Sequence, residues 1–107
     1  MSLYDIIKSN KFIIAGPCVL EDYDTSLMIA KFANEVCQKY GFTYIFKASF
    51  DKANRTSVES YRGVGIEKGI EILKELNKEF YTTTDIHIPS QAGKIADSVD
   101  IIQIPAF

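Results

Sequence analysis

YIFKASFDKANRTSVESYRGVGIEKGIEILKELNKEFYTTTDI, Tyr44 to Ile86, holds within one stretch the alternation that decides the fold. Its two ends, Tyr44 to Phe50 and Tyr81 to Ile86, are short runs rich in β-branched and aromatic residues and read as strands. Between them Ile66, Ile70, Leu73, Leu76 and Phe80 recur at helical spacing, while the pairs Glu71/Lys74 and Glu75/Lys78 mark a solvated side. A helix joining consecutive strands implies parallel pairing, because antiparallel neighbours need only a tight turn. Toward the N-terminus, Leu27, Ile29, Ala33, Val36, Cys37 and Tyr40 form another helical pattern, with caps offered by Asp24 to Ser26 and a stop at Gly41. A further strand, Phe12 to Ala15, precedes it. Toward the C-terminus a short helix opens at Pro89, runs to about Ala96 and is weakened by Gly93, before a last strand over Asp100 to Pro105. The expectation is an α/β fold of four parallel strands and three helices.

The 107 residues fall below the roughly 150 of an average domain, so the chain is one domain or a piece of one. With 47% hydrophobic, 24% charged and 12% aromatic residues it is neither disordered, collagenous nor coiled-coil. Fourteen acidic against twelve basic residues give a net charge of -2, so no nucleic-acid or anionic-membrane partner is expected and any anion must be caught locally. The longest apolar stretches fall far short of the roughly 20 residues of a membrane span, and Met1 to Asn10 has no secretory signal pattern. A cytoplasmic location is expected, with both cysteines, Cys18 and Cys37, as thiols. Cys37, on the apolar helix stripe, reads as core.

Strand parity places Tyr44, Phe46, Ala48 and Phe50 on one face and Ile45, Lys47 and Ser49 on the other. Lys47 is then either an edge lysine snorkelling to water or an inward, functional one, and the second reading is favoured. The same parity puts Gln103 inside, in line with Ile101 and Pro105, and brings Asp85 and His87 together at the end of the third strand. Ligands of parallel α/β proteins bind beyond the carboxyl ends of the strands, which here carry Cys18, Lys47 to Lys52, Asp85 to His87 and Gln103 to Phe107. Asp51 to Gly65 is a fifteen-residue polar connection where two to about six are usual. In it Lys52, Asn54, Arg55, Thr56 and Ser57 gather phosphate-binding chemistry and Arg62 adds a third cation; a merely solvated loop is the competing reading. Cys18 and His87 are plausible metal ligands, yet a zinc or iron site needs three or four.

The blocks AGPCVLED (Ala15 to Asp22), FKASFDKANRTS (Phe46 to Ser57), YRGVG (Tyr61 to Gly65), TTDIH (Thr83 to His87) and DIIQIPAF (Asp100 to Phe107) resemble the 3-deoxy-D-manno-octulosonate 8-phosphate synthase family, in family order and spacing. The resemblance implies a (β/α)8 TIM barrel that condenses phosphoenolpyruvate with D-arabinose 5-phosphate, releasing phosphate, in lipopolysaccharide biosynthesis. It implies that Lys47 and Lys52 hold phosphoenolpyruvate and the reacting groups, that Asn54, Arg55 and Thr56 bind the pentose phosphate, and that Asp85, His87, Gln103 and Phe107 line the same pocket. Thr56 stands where the family usually has serine, and Glu59 and Val64 replace a usual histidine and proline. Cys18 matches the ligand of the metal-dependent branch, implying zinc, iron(II) or manganese with most ligands outside this chain, and a homotetramer. The 3-deoxy-D-arabino-heptulosonate 7-phosphate synthases are the alternative family, and a non-catalytic phosphate-binding or self-associating α/β fragment the alternative outside it.

A complete barrel takes about 250 residues. Residues 1–107 are therefore expected to be a single partial domain, the N-terminal half of a barrel, inactive by itself.

Overall fold

In the computed structural model, which describes residues 2–52 and 62–106, the four expected strands form one parallel sheet in the order β1-β2-β3-β4. They are β1 (Phe12–Val19), β2 (Thr43–Ser49), β3 (Tyr81–Asp85) and β4 (Ile101–Gln103). The helices are α1 (Leu3–Ser9), α2 (Tyr23–Lys39), α3 (Ile66–Asn77) and α4 (Ser90–Ile95). Sequential strand order with crossovers of one hand puts the crossover helices on the same side of the sheet, as in an opened (β/α) barrel and unlike a doubly wound sheet.

Alternation then divides each strand between two environments. On the helix side Tyr44, Phe46, Ala48 and Phe50 join Ala30 and Cys37 of α2, Ile72, Leu73 and Leu76 of α3, and Ile95 of α4 in one buried core. Gly69 of α3 lies against Phe50, whose Cβ leaves no room for a side chain there. On the opposite face the register sets Ile14 beside Ile45 beside Tyr81, then Lys47 beside Thr83 beside Ile101, then Asp85 beside Gln103. Moving toward the carboxyl ends of the strands, that face changes from apolar to polar.

Local chemistry explains the element boundaries. Asp22 caps α2 by accepting the Thr25 amide at 2.7 Å, two residues before the first of the caps expected at Asp24 to Ser26. That bond also holds the Asp22 carboxyl below its ordinary pKa. Gly41 ends α2 with φ +78, a conformation cheap for glycine alone. Pro89 is the N-cap of α4 and not its first residue. Glu71 pairs with Lys68, at 3.4 Å, not with Lys74.

Two departures from the sequence reading matter. The fourth helix, α1, buries no residue fully: Leu3, Ile6 and Ile7 form a short, partly buried apolar stripe, and its start is secured by a capping box between Ser2 and Asp5. Strand β1 also continues past Ala15 to Val19, through a register shift between Ala15 and Cys18. The extra residue is a β-bulge, which accommodates the Gly16-Pro17 pair on a strand with a single partner in this sheet.

Candidate active site

The bulge governs one wall of the site. Gly16 passes so close to β2 that a Cβ would overlap the Lys47 carbonyl, so this position needs glycine for approach alone. Two residues on, Cys18 is exposed and has φ +75, the one described non-glycine residue with a left-handed backbone. Such a conformation costs of order 1–3 kcal/mol and is held by its surroundings, here the pairing of Cys18 with Ala48 and of Val19 with Ser49.

Lys47 lies mid-strand on the face away from the helices, half-buried, because both its neighbours Phe46 and Ala48 are committed to the helix-side core. Asp85 and Gln103 share that face, so Lys47, Asp85 and Gln103 open to one side as expected. Asp85 is buried, but Gln103 is exposed and not inside as expected, because β4 has a single partner strand among the described residues. Thr83, between Lys47 and Ile101, donates its hydroxyl to the Ile101 carbonyl at 2.9 Å, while Thr84, on the core side, donates to the Ala48 carbonyl at 2.7 Å. These side-chain bonds tie β2, β3 and β4 together where the polar face begins.

His87 links two strand ends. Its Nε2 is hydrogen-bonded to the Asp51 carbonyl; a carbonyl only accepts, so Nε2 carries the proton. The ring stands edge-on to Phe50, centroids 6.0 Å apart, and Gln91 accepts the His87 amide at 2.8 Å. His87 Nδ1 and Asp85 Oδ1 are buried with no hydrogen-bond partner among the described residues. Asp85 Oδ2 is 3.9 Å from His87 Nε2, too far for a hydrogen bond. Beside them an apolar hollow of about 330 Å³ is lined by Ile86, His87, Ile88, Pro89, Ala92, Ile104 and Pro105.

The base of the polar connection is also defined. Lys52 is half-buried directly after Asp51. Asp51 accepts Arg62 in a two-pronged pair, Nε to Oδ1 at 2.6 Å and Nη2 to Oδ2 at 3.3 Å. The hydrogen bond and charge of Asp51 hold the Arg62 guanidinium above its already high ordinary pKa. Arg62, expected as a third phosphate cation, is thus engaged by a carboxylate. Asn54, Arg55, Thr56, Glu59 and Phe107 lie outside the described residues.

Sequence reasoning passed over Gly16 and the Asp51–Arg62 pair. The signal for the first was a Gly-Pro pair interrupting an apolar run; for the second there was none, since eleven residues separate the partners. Among the described residues no group of three or more His, Cys, Asp or Glu is placed to hold a metal ion, and Cys18 offers at most one thiolate. A larger cleft of about 530 Å³, lined by Asn34, Gln38, Asn77 and Asp100 among others, lies at the opposite, amino ends of the strands. Two of its polar groups serve the fold: Asp100 accepts the Thr82 backbone amide at 3.0 Å and the Asn77 side-chain Nδ2 at 2.7 Å.

The family model described as the DAHP synthetase I family matches residues 6–107. The chain belongs to that family. Within it, the chain is 50% identical over 97 residues to the 2-dehydro-3-deoxyphosphooctonate aldolase of Desulfosudis oleivorans, covering 89% of this chain and 35% of the relative. The protein of the same name from Helicobacter hepaticus is also 50% identical over 97 residues, covering 89% of this chain and 36% of the relative. That of Escherichia coli O1:K1 is 47% identical over 112 residues, covering 100% and 39%. The chain thus spans 35–39% of the length of these curated family members. The resemblance read from the sequence blocks and the family match agree, as do the parallel sheet and the expected partial (β/α) barrel.

Proposed function

We propose that this chain supplies part of the active site of a 3-deoxy-D-manno-octulosonate 8-phosphate synthase, also called 2-dehydro-3-deoxyphosphooctonate aldolase. The observation that carries the reading is 44–50% identity, over most of the chain, to relatives bearing that name; their name also favours it over the heptulosonate alternative. In the reaction, the methylene carbon of phosphoenolpyruvate bonds to the aldehyde carbon of D-arabinose 5-phosphate, water supplies an oxygen, and inorganic phosphate leaves.

The chemistry of the polar face supports this assignment. Lys47 and Lys52 bring cations to the carboxyl ends of the strands, where they would hold the anionic groups of phosphoenolpyruvate and offset charge developing as phosphate departs. Asp85 Oδ1 and His87 Nδ1, buried without partners among the described residues, would take up polar groups of the bound substrates, with Gln103 beside them. Asn54, Arg55 and Thr56 are assigned to the pentose phosphate, and Phe107 to the pocket lining, by resemblance alone. Cys18 is proposed to ligate a divalent metal, zinc, iron(II) or manganese, with most of the other ligands coming from outside this chain. Action in the cytoplasm as a homotetramer completes the reading, and no helix among the described residues is long and apolar enough to cross a membrane.

A chimera tests the reading. Residues 1–107 replace the matching segment of a full-length relative, and phosphate release from phosphoenolpyruvate plus arabinose 5-phosphate is measured with each metal. The chimera is expected to turn over and the 107-residue chain alone to be inactive. A folded, metal-loaded chimera without turnover would overturn the assignment; turnover by the isolated chain within about tenfold of the relative would show that a single cysteine ligand and an open sheet suffice, against expectation.

A further inference from the structure

We propose that Arg62 is a positioning residue that acts through Asp51 to fix Lys52 at the carboxyl end of β2, and that it does not itself bind phosphate. The geometry is a two-sided clamp. The Arg62 guanidinium grips both carboxylate oxygens of Asp51, at 2.6 and 3.3 Å, while the Asp51 carbonyl is bonded to His87 Nε2 from the neighbouring strand end. Asp51 is therefore held by its side chain from one direction and by its backbone from another. The next residue, Lys52, donates its amide to the Arg62 carbonyl, so the residue that grips Asp51 also fixes the backbone from which the Lys52 side chain departs.

The approach of the two chain segments is built in. Gly65 donates its amide to the Phe50 carbonyl at 2.9 Å, and Gly63, at φ +122, lies where a Cβ would overlap that carbonyl. Glycine at 63 lets the segment carrying Arg62 lie against the end of β2. The Arg62 side chain is 58% exposed, and exposed ion pairs add little to stability. The two-pronged geometry instead specifies direction, since a planar fork engages a carboxylate in few orientations. The neutral pair also leaves Arg62 a poor anion ligand compared with an unpaired lysine.

The functional half of this proposal rests on Lys52 holding phosphoenolpyruvate; the clamp does not. The test uses wild type, Asp51→Asn, Arg62→Ala and Arg62→Lys, with amide hydrogen exchange on the nitrogen-15-labelled 107-residue chain in one arm and phosphoenolpyruvate titration of the full-length chimera carrying the same substitutions in the other. Lys52 amide exchange is expected to accelerate about tenfold or more in Asp51→Asn and Arg62→Ala, with Phe46 and Ala48 amides essentially unchanged. Arg62→Lys, which keeps the charge but loses the fork, is expected to fall between. Both disruptive variants are expected to weaken phosphoenolpyruvate binding, by about tenfold.

The sign for Asp51→Asn separates positioning from direct binding. Removing a negative charge beside an anion site tightens binding if Arg62 is a phosphate ligand restrained by Asp51, and that result overturns the proposal. Unchanged Lys52 exchange in both disruptive variants overturns it too. If exchange accelerates as expected but no protein, wild type included, binds phosphoenolpyruvate, the clamp stands and the assigned function of Lys52 falls.

Discussion

The two faces of the sheet differ in what completes them. On the helix side, Phe46 and Ala48 have 0% exposure and are covered by α2 and α3 of this same chain. On the opposite face Ile45 is equally buried, yet Phe12 and Ile14 of β1 remain 42% and 44% exposed, Lys47 is half-buried and Gln103 open. One strand, β2, therefore contributes to a finished core with its even-numbered residues and to a polar, unfinished face with its odd ones. Stability and chemistry are assigned to alternate residues, and substitutions should separate them.

The largest separation is expected at the end of β2. Lys52→Ala in the chimera should lower turnover by about three orders of magnitude or more while leaving the thermal midpoint nearly unchanged, because a half-buried cation acts on charge developing in substrate. Near-normal turnover would remove Lys52 from the chemistry. On the core face the effect reverses: Phe46→Ala should destabilise by about 3–5 kcal/mol in urea unfolding, whereas the exposed Phe12→Ala should cost about 1 kcal/mol or less. Equal costs would mean that the face away from the helices is packed as tightly as the core.

A finer contrast lies in two adjacent threonines. Thr84→Val removes a buried bond to the Ala48 carbonyl and leaves that oxygen without this donor, at a cost of about 1–3 kcal/mol. Thr83→Val removes the bond to the Ile101 carbonyl next to Lys47, and should affect phosphoenolpyruvate affinity as well as stability. If Thr84→Val changed affinity as much as Thr83→Val, the two faces would be coupled rather than separate.

The smallest effect is a pH dependence. The Tyr44 hydroxyl donates to the Ala15 carbonyl at 2.8 Å, and burial pushes its pKa up from the ordinary 10 to about 12. A raised folded-state pKa means that the neutral phenol stabilises the fold fully below about pH 10 and loses this contribution as pH rises through about 12. Urea unfolding between these limits should show a steeper alkaline decline for wild type than for Tyr44→Phe. Parallel declines would place the titrating group elsewhere.

Much of this division was legible in the residues themselves. Apolar spacing located α2 and α3, and alternation within Tyr44 to Phe50 put Lys47 opposite the core without reference to any other strand. Parity is a property of the extended backbone, so it survives whatever the neighbours do. Helix α1 escaped because its apolar stripe is only Leu3, Ile6 and Ile7, within two turns, and its start is marked by a Ser2–Asp5 capping box alone. The extension of β1 escaped because Gly16-Pro17 signals an interruption equally well for a strand end and for a bulge.

Arg62 shows where local reading ends. Among Lys52, Asn54 and Arg55 it counts as one more cation, and composition cannot distinguish a phosphate ligand from one half of an ion pair. Its partner is set by the return of the chain to the end of β2, through backbone bonds from Lys52 to Arg62 and from Gly65 to Phe50. His87 is similar: its place at the end of β3 is local, but its bond to Asp51 spans 36 residues. The sequence by itself determined the four strands, the three crossover helices and their order, and the face on which the residues of Tyr44 to Phe50 lie, because these follow from backbone periodicity and side-chain polarity. Only the tertiary structure decided the left-handed backbone at Cys18, the contact of Gly16 with Lys47, and the partners of Arg62 and His87, because such contacts depend on how distant segments are brought together in space.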